Sequence, residues 1–296
     1  MKFLVTGLKK GWMIKRYAEE AEKLGHTAEG CFAKDIVLVG DKDKFTPKVN
    51  DTPLSEYDLV YLCTGVEAKG RWEWYIAAEY LTNNSKTKVI NEVAVDTHTN
   101  YHPTPSWFFL KQSESDLPYP RTHVIYSKKN IAGVAEDLKY PLIMKVGNIH
   151  QGKAIHLINN EEEAVKVADD NPNDYFVLRE FIPNEGDIRV FCVGYKAIGA
   201  MRRIPPEGDF RSNISVGGKG ENFDLGLHPE IQELAEKAAK VSKVEIAGVD
   251  IILNKENGKP YILEVNVGPQ FKGLETYTDA NAAKSIIEYF VRKCEG

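Results

Sequence analysis

The chain has 296 residues, of which 43% are hydrophobic and 27% charged, with a formal net charge of −5. That length allows about two domains of ordinary globular composition, and the negative balance argues against bulk nucleic-acid binding. Its 4 cysteines, Cys31, Cys63, Cys192 and Cys294, are scattered and form no C-x-x-C pair, and no apolar run nears the ~18 residues that cross a bilayer. A zinc cluster, a disulfide framework and a membrane span are therefore not expected, and a reducing cytoplasm is the expected setting. The opening Met1-Lys-Phe-Leu-Val-Thr-Gly7 reads as a strand, not as a signal peptide.

In chain order, residues 2–5 predict a strand and residues 12–24 a helix, with Ile14, Tyr17, Ala18, Ala21 and Leu24 on one side and Gly25 at its end. Strands are predicted at 36–39 and 57–63, the second apolar on both faces at Leu59, Val60, Tyr61 and Leu62, as a parallel sheet requires. A helix at 71–81 and a short strand at 88–91 complete a predicted small open α/β domain over residues 1–95. Residues 96–119 form a proline-rich connector with a helix expected at 106–113; His98 and His102 lie there without acidic or cysteine partners at ligand spacing and read as loop residues. Residues 140–146 and 154–158 read as strands joined by a polar loop. Asn160 caps a helix starting at Glu161, with Glu163 placed for a capping box, and 175–181 is a further strand. Strands at 187–193 and 197–202 flank the turn at Gly194, and 229–243 is a helix with the stripe Ile231, Leu234, Ala235, Ala238 and Val241. A last helix is expected at about 280–293.

Two strands near the C-terminus carry the chemistry. Period-2 alternation in Pro260-Tyr-Ile-Leu-Glu-Val-Asn-Val267 puts Glu264 and Asn266 on one face, with Leu263 and Val265 on the other. An acidic residue inside a buried strand needs a cation or a hydrogen-bond network. Gly248-Val-Asp250 adds a third oxygen from a second strand, and three oxygen donors suit Mg²⁺, which shares its shell with phosphates. The competing reading makes Glu264 and Asn266 strand-end residues facing water. Gly147-x-x-x-x-Gly152-Lys153 imitates a P-loop, but Ala154 replaces the metal-binding hydroxyl and a strand follows where a helix is needed. A hairpin whose N–H groups close over phosphates fits better.

Taken together, Lys145, Gln151-Gly152, Leu178-Arg-Glu-Phe-Ile182, Asp187-Ile-Arg189, Arg202-Arg203, Glu207-Gly-Asp-Phe-Arg-Ser-Asn213, Gly248-Val-Asp250 and Glu264-Val-Asn266 resemble the ATP-grasp superfamily, and within it the RimK-like carboxylate–amine ligases. The resemblance covers about residues 118–296. It implies an ATP-grasp fold, α/β and α+β, preceded by a small open α/β domain: 1–95, a connector 96–119, a lid subdomain 120–182 and a C-terminal subdomain with the metal site, 183–296. It further implies that Lys145 contacts ATP phosphates and the adenine ring, with Gln151 and Gly152 in the phosphate loop. Glu180, Phe181 and Ile182 would form the adenine hinge, and Asp187 would take the ribose. Arg203 would stabilise the transferred phosphate, while Arg211 and Asn213 complete the acyl-phosphate site. Asp250, Glu264 and Asn266 would hold two Mg²⁺ ions, or Mn²⁺ in their place.

Phosphoryl transfer is positioning plus charge neutralisation, so clustered cations and metal ligands fit it independently of the family. Arg202 and Arg203 point to opposite faces, so one serves the site, and Arg203 is the choice. Arg189 shares a face with Asp187, where an ion pair and a ligand contact are both open. The family's lysine ahead of the Pro120-Arg-Thr122 turn has no counterpart at Pro103-Thr-Pro105, and Lys111 is the nearest one downstream. Gln270 and Lys272 stand where the family often has a Ser-Pro-Gly run, and either tune the amine or form loop surface. The expected reaction is amide formation by an ATP-dependent ligase on a carboxylate and an amino acid such as glutamate, a peptide or protein end included, without nucleic acid or membrane and as a homo-oligomer. A non-catalytic ATP-binding protein and a small-molecule kinase on the same fold are the alternatives.

Overall fold

Leu4 and Val5 open a strand that must be covered on both faces, and β1 (Lys2–Thr6) is buried along nearly its whole length. The structure is a computed structural model that describes residues 1–7, 11–42, 44–61, 71–92, 105–147, 155–172, 174–208 and 217–296. Helix α1 (Trp12–Lys23) returns the chain to β2 (Thr27–Cys31), parallel to β1. The strand expected at 36–39 exists as β3 (Ile36–Asp41), but it does not join that sheet. It pairs antiparallel with β4 (Lys44–Val49), which pairs with β5 (Thr52–Pro53). The tight link from Asp41 to Lys44 leaves no room for the crossover helix a parallel neighbour needs. After β6 (Leu59–Tyr61), α2 (Arg71–Asn84) and β7 (Lys88–Ile90), the first sheet is complete in the order β2-β1-β6-β7, parallel throughout.

Helix α3 (Pro105–Glu114) precedes a second unit of sheet and helices: β8 (Thr122–Ile125), α4 (Ile131–Leu138), β9 (Leu142–Val146), β10 (Ile155–Ile158), α5 (Glu161–Asp170) and β11 (Phe176–Glu180). Its antiparallel sheet has the order β10-β9-β11-β8. Leu142, Met144, Val146, Phe176 and Leu178 point to α4 and α5 and form their own core with Val134 and Ala164. Asn160 caps α5 by accepting from the Glu163 N–H, while Glu163 closes on the Asn159 N–H, one residue earlier than a standard capping box.

The third unit contains β12 (Asp187–Val193), β13 (Lys196–Ile204), β14 (Lys219–Phe223), α6 (Pro229–Val241), β15 (Ile246–Leu253), β16 (Pro260–Val267), α7 (Lys272–Tyr277) and α8 (Ala282–Glu295). Its sheet runs β14-β13-β12-β15-β16, antiparallel. One face packs Ile188, Val190, Val249, Ile251, Ile262 and Val265 on the alanine-rich stripe of α6. On the other face Phe191, Val193 and Ile246 join Phe3, Tyr17, Phe271 and Phe290 in a core shared with β1, α1 and α8. Among the described residues no helix is long and apolar enough to cross a membrane.

Candidate functional site

The part of that second face not covered by apolar side chains carries a row of ionic residues. Strand alternation places Asp187 and Arg189 of β12 on it, and the register sets Arg203 opposite Asp187, Asp250 opposite Arg189, and Glu264 opposite Asp250. The Arg203 guanidinium donates to both Asp187 oxygens at 2.5 and 2.7 Å and reaches Asp250 at 2.9 Å. Arg189 forks onto the two Asp250 oxygens at 2.6 Å each. Asn266 Nδ2 donates to the Gly248 carbonyl at 3.1 Å and to Asp250 at 3.3 Å. The row thus alternates in sign: Arg189, Asp250, Arg203, Asp187. Asp187, Arg203 and Asp250 are each only 5–6% exposed, so these charges survive burial through bidentate pairing.

Electrostatics follow from this packing. Burial pushes the Asp250 carboxyl up, but the charges of Arg189 and Arg203 and their hydrogen bonds outweigh it and hold it far below the usual carboxylate range. Burial likewise works against the Arg203 cation, and Asp250 and Asp187 more than restore it. Two glycines make the row compact. Gly186 has a φ of +106°, and a Cβ there would lie 2.2 Å from the Arg203 carbonyl oxygen. At Gly248 a Cβ would meet Pro269 at 2.8 Å and Arg189 Cδ at 3.6 Å.

Several expectations are corrected here. Glu264 is not a buried carboxylate: its side chain is 49% exposed. The register passes from Asp250–Glu264 to Ile251–Ile262, so Leu263 is a bulge residue, and this breaks the alternation. Val265 faces the α6 core as expected. Arg189 pairs with Asp250, not with Asp187, because β15 brings Asp250 directly opposite it. Asp187 accepts from Arg203 through both oxygens and so fixes that arginine. Arg202 lies on the other face, 36% exposed, beside Glu185, as alternation requires.

Lys145 brings the second unit over this row. It sits on β9 with its Nζ 3.8 Å from Glu264. Because even-numbered β9 residues enter the α4/α5 core, Ile143 and Lys145 face the other way, as do Thr122 and Val124 of β8, Ile155 and Leu157 of β10, and Val177 and Arg179 of β11. The result is a largely apolar platform with two cations, looking onto the ionic row. Just after β11, the Glu180 carboxylate accepts the Arg121 N–H at 2.7 Å and the Ile182 carbonyl accepts from Asn184 at 2.7 Å; Phe181 lies between them. A cavity of about 270 Å³ at the start of β8 is lined by Tyr119, Arg121, Thr122, His123 and Asp137. Another, of about 380 Å³ between α1 and α8, is lined by Glu20, Lys23, Leu24, Asn281 and Lys284 and holds no residue of the row. Lys111 donates to Glu114 on α3 itself. Gln151, Gly152, Lys153, Arg211, Asn213, His98 and His102 lie outside the described residues.

Sequence reasoning missed the Arg189–Asp250 fork and Arg179. The first depended on cross-strand register, which a single strand does not disclose. The second was open to the same alternation that places Lys145. Asp250, Glu264 and Asn266 supply oxygen donors only, which suits Mg²⁺. Among the described residues no three carboxylate, imidazole or thiol groups cluster as a closed metal cage. Three oxygen donors fill half of an octahedral Mg²⁺ shell and leave the other positions to phosphate or water oxygens.

An antiparallel sheet with its own helices, folded over an ion-lined five-stranded sheet and preceded by a parallel α/β unit, defines the ATP-grasp fold. Residues 106–290 match the RimK-like ATP-grasp domain, which is more than half of the sequence, and the chain belongs to that family. It is 35% identical over 188 residues to a "Probable alpha-L-glutamate ligase" of Legionella pneumophila (strain Corby), with 60% of each chain covered. The chain thus matches about 60% of the length of the curated relatives. The fold superposes on the ATP-grasp ligase PsnB complexed with minimal precursor with a TM-score of 0.74, 16% identity and 98% of each chain covered. For the RimK domain protein ATP-grasp from Sphaerobacter thermophilus DSM 20745 the TM-score is 0.72 at 15% identity, covering 98% of this chain and 99% of that one.

Proposed function

We propose that the protein is an ATP-dependent carboxylate–amine ligase that forms an amide through an acyl phosphate and releases ADP and phosphate. The observation that carries this reading is the ionic row Asp187–Arg203–Asp250–Arg189 with Glu264 and Asn266 beside it, faced by Lys145 from the opposing sheet. Lys145 takes the phosphates, and residues 180–182 take the base. Arg203, locked by two carboxylates, keeps a fixed positive charge where negative charge is transferred, and needs no reorganisation to do so. Asp250, Glu264 and Asn266 would hold divalent cation, two ions of Mg²⁺ (or Mn²⁺) on our reading, which would neutralise phosphate charge. The substrate carboxylate accepts the terminal phosphoryl group and ADP departs. The amine then attacks the acyl carbon and loses a proton, the acyl carbon–oxygen bond breaks, the amide forms, and phosphate leaves with the electron pair and takes up the proton. No side chain of the protein forms a covalent bond.

The amine on this reading is an amino acid such as glutamate, in keeping with the name of the Legionella relative, and the carboxylate is a small molecule or a peptide end, as the precursor-bound PsnB suggests. We assign residues 1–95 to an N-terminal unit, 96–119 to a connector, 120–182 to a lid and 183–296 to the metal-bearing unit, in a cytoplasmic homo-oligomer. Product analysis with candidate acids and amines tests the reaction. ADP and phosphate in step with amide support it. AMP with pyrophosphate, a stable phosphorylated product without amide, or nucleotide binding without turnover across a broad panel each reject it.

A further inference from the structure

The platform facing the ionic row contains a cation that the ligase reading does not use. Phe176 and Leu178 enter the α4/α5 core, so Arg179 faces the cleft with Val177. It pairs across β11 with Thr122 on one side and Ile143 on the other, and Ile143 lies two residues before Lys145 on β9. Its Nε donates to Thr122 Oγ1 at 3.1 Å, and its guanidinium carbon lies 5.7 Å from the centre of the Phe109 ring. Among the described residues no carboxylate stands within ion-pair distance of it, in contrast to Arg189 and Arg203. Burial lowers its pKa to about 10, with the charge of Glu264 opposing only in part. A guanidinium carries five N–H donors and no acceptor. One neutral hydrogen bond leaves most of that capacity open inside a crevice, where an unpaired cation is costly.

The place of Arg179 in the cleft decides what completes it. Lys145 lies at the end of β9 that leads toward residue 147 and touches Glu264, so it marks the phosphate end. Arg179 lies roughly 7 Å further along the strand direction, immediately before Glu180, at the hinge end. On the reading that residues 180–182 take the base, a donor-only group there would meet its edge. It is matched by ring nitrogens and by a keto oxygen, and mismatched by an exocyclic amine, which is itself a donor. We propose that Arg179 reads the base of the bound nucleotide and admits 6-oxopurine triphosphates on at least equal terms with ATP. This rests on the assignment of the cleft as a nucleotide site.

ITP and ATP differ at purine C6, a keto oxygen replacing an amine. Calorimetric titration of the intact protein, wild type and the variants Arg179→Gln and Arg179→Met, with ATP, ITP and tripolyphosphate (each with Mg²⁺) is the test. The wild type is expected to bind ITP within threefold of ATP or more tightly. Glutamine, which can both donate and accept, should raise the ratio Kd(ITP)/Kd(ATP) at least tenfold. Methionine should weaken ITP more than ATP and leave tripolyphosphate unchanged. Each ratio is taken within one protein, so a partly unfolded variant still reports it. Wild-type binding of ITP more than threefold weaker than ATP, a ratio unmoved by Arg179→Gln, or equal losses for all three ligands in Arg179→Met overturns the proposal while leaving the ATP cleft intact. Failure of the wild type to bind any of the three removes the cleft assignment, and the proposal with it.

Discussion

Asp250 and Glu264 face each other across two strands, yet their surroundings differ enough to separate a structural role from a chemical one. Asp250 is 6% exposed and holds two guanidinium groups, so Asp250→Asn leaves both buried cations short of charge and should cost about 3 kcal/mol of stability, read from the denaturant midpoint. Glu264 is 49% exposed and only 3.8 Å from Lys145, and Glu264→Gln should stay within about 0.5 kcal/mol of the wild type. Both should lower ADP release on the order of 100-fold or more, because each removes a charged group from the phosphate end. A Glu264→Gln protein that turns over normally would remove Glu264 from the metal set. Gly248→Ala adds a methyl group 2.8 Å from Pro269 and 3.6 Å from Arg189, and should destabilise by about 1–3 kcal/mol by displacing the arginine fork. That Asp250 and Glu264 stand out was legible in the sequence, because an acidic residue in an otherwise apolar strand is conspicuous. Their pairing was not. It depends on a register between strands 60 residues apart and on a one-residue bulge at Leu263, neither of which leaves a local trace.

At the level of elements, the long periodic helices and strongly apolar strands were legible to within a few residues, as α6 and β12 illustrate. Several strands that the sequence does not announce are polar or contain proline. β2 reads Thr-Ala-Glu-Gly-Cys and β4 Lys-Phe-Thr-Pro-Lys-Val, and each is a strand because its neighbour supplies the pairing, not because of its own composition. One junction between elements has a pH signature. Glu245, fully buried just before β15, accepts from the Glu92 N–H at 2.9 Å, from the Tyr289 hydroxyl at 2.6 Å and from Lys293 at 2.8 Å, and so ties α8 to the end of the first sheet. Burial raises its pKa more than Lys293 and Tyr289 lower it. The folded state therefore binds this proton more tightly than the unfolded chain. The associated stability is fully present below the ordinary glutamate pKa and is lost as pH rises through the elevated folded value. Glu245→Gln cannot titrate there. The melting-temperature advantage of the wild type over Glu245→Gln should be largest near pH 4 and shrink toward pH 7. A gap that widens over that range contradicts the assignment.

Across the whole molecule, the three units are joined unequally. The first and third share one apolar core, in which Phe3, Tyr17, Phe271 and Phe290 interlock, and Arg16 of α1 adds bonds of 3.0 Å to Glu275 and to Asn281. Among the described residues the second unit has a core of its own that shares none with the other two. Its chain connections are held at Pro118, whose carbonyl accepts from Ile262 at 2.9 Å, and at Pro183, whose carbonyl accepts from Lys255 at 2.9 Å. Across the cleft Lys145 reaches Glu264 at only 3.8 Å, a distance at which a partly exposed pair adds little. On the ligase reading proposed above, a body with its own core, tethered at its ends and weakly held across the gap, would swing as a unit and shield the acyl phosphate from water. Adding a nonhydrolysable ATP analogue with Mg²⁺ should reduce the radius of gyration measured by small-angle scattering. It should also slow amide exchange in β9, β10 and β11 while leaving α1, β1 and α8 unchanged. Lys145→Ala should weaken nucleotide binding and reduce the compaction at a given nucleotide concentration. Tight binding in a calorimeter with neither compaction nor slower exchange would mean that the cleft is already closed, and water would then have to be excluded by residues at the mouth of the site rather than by movement of the second unit.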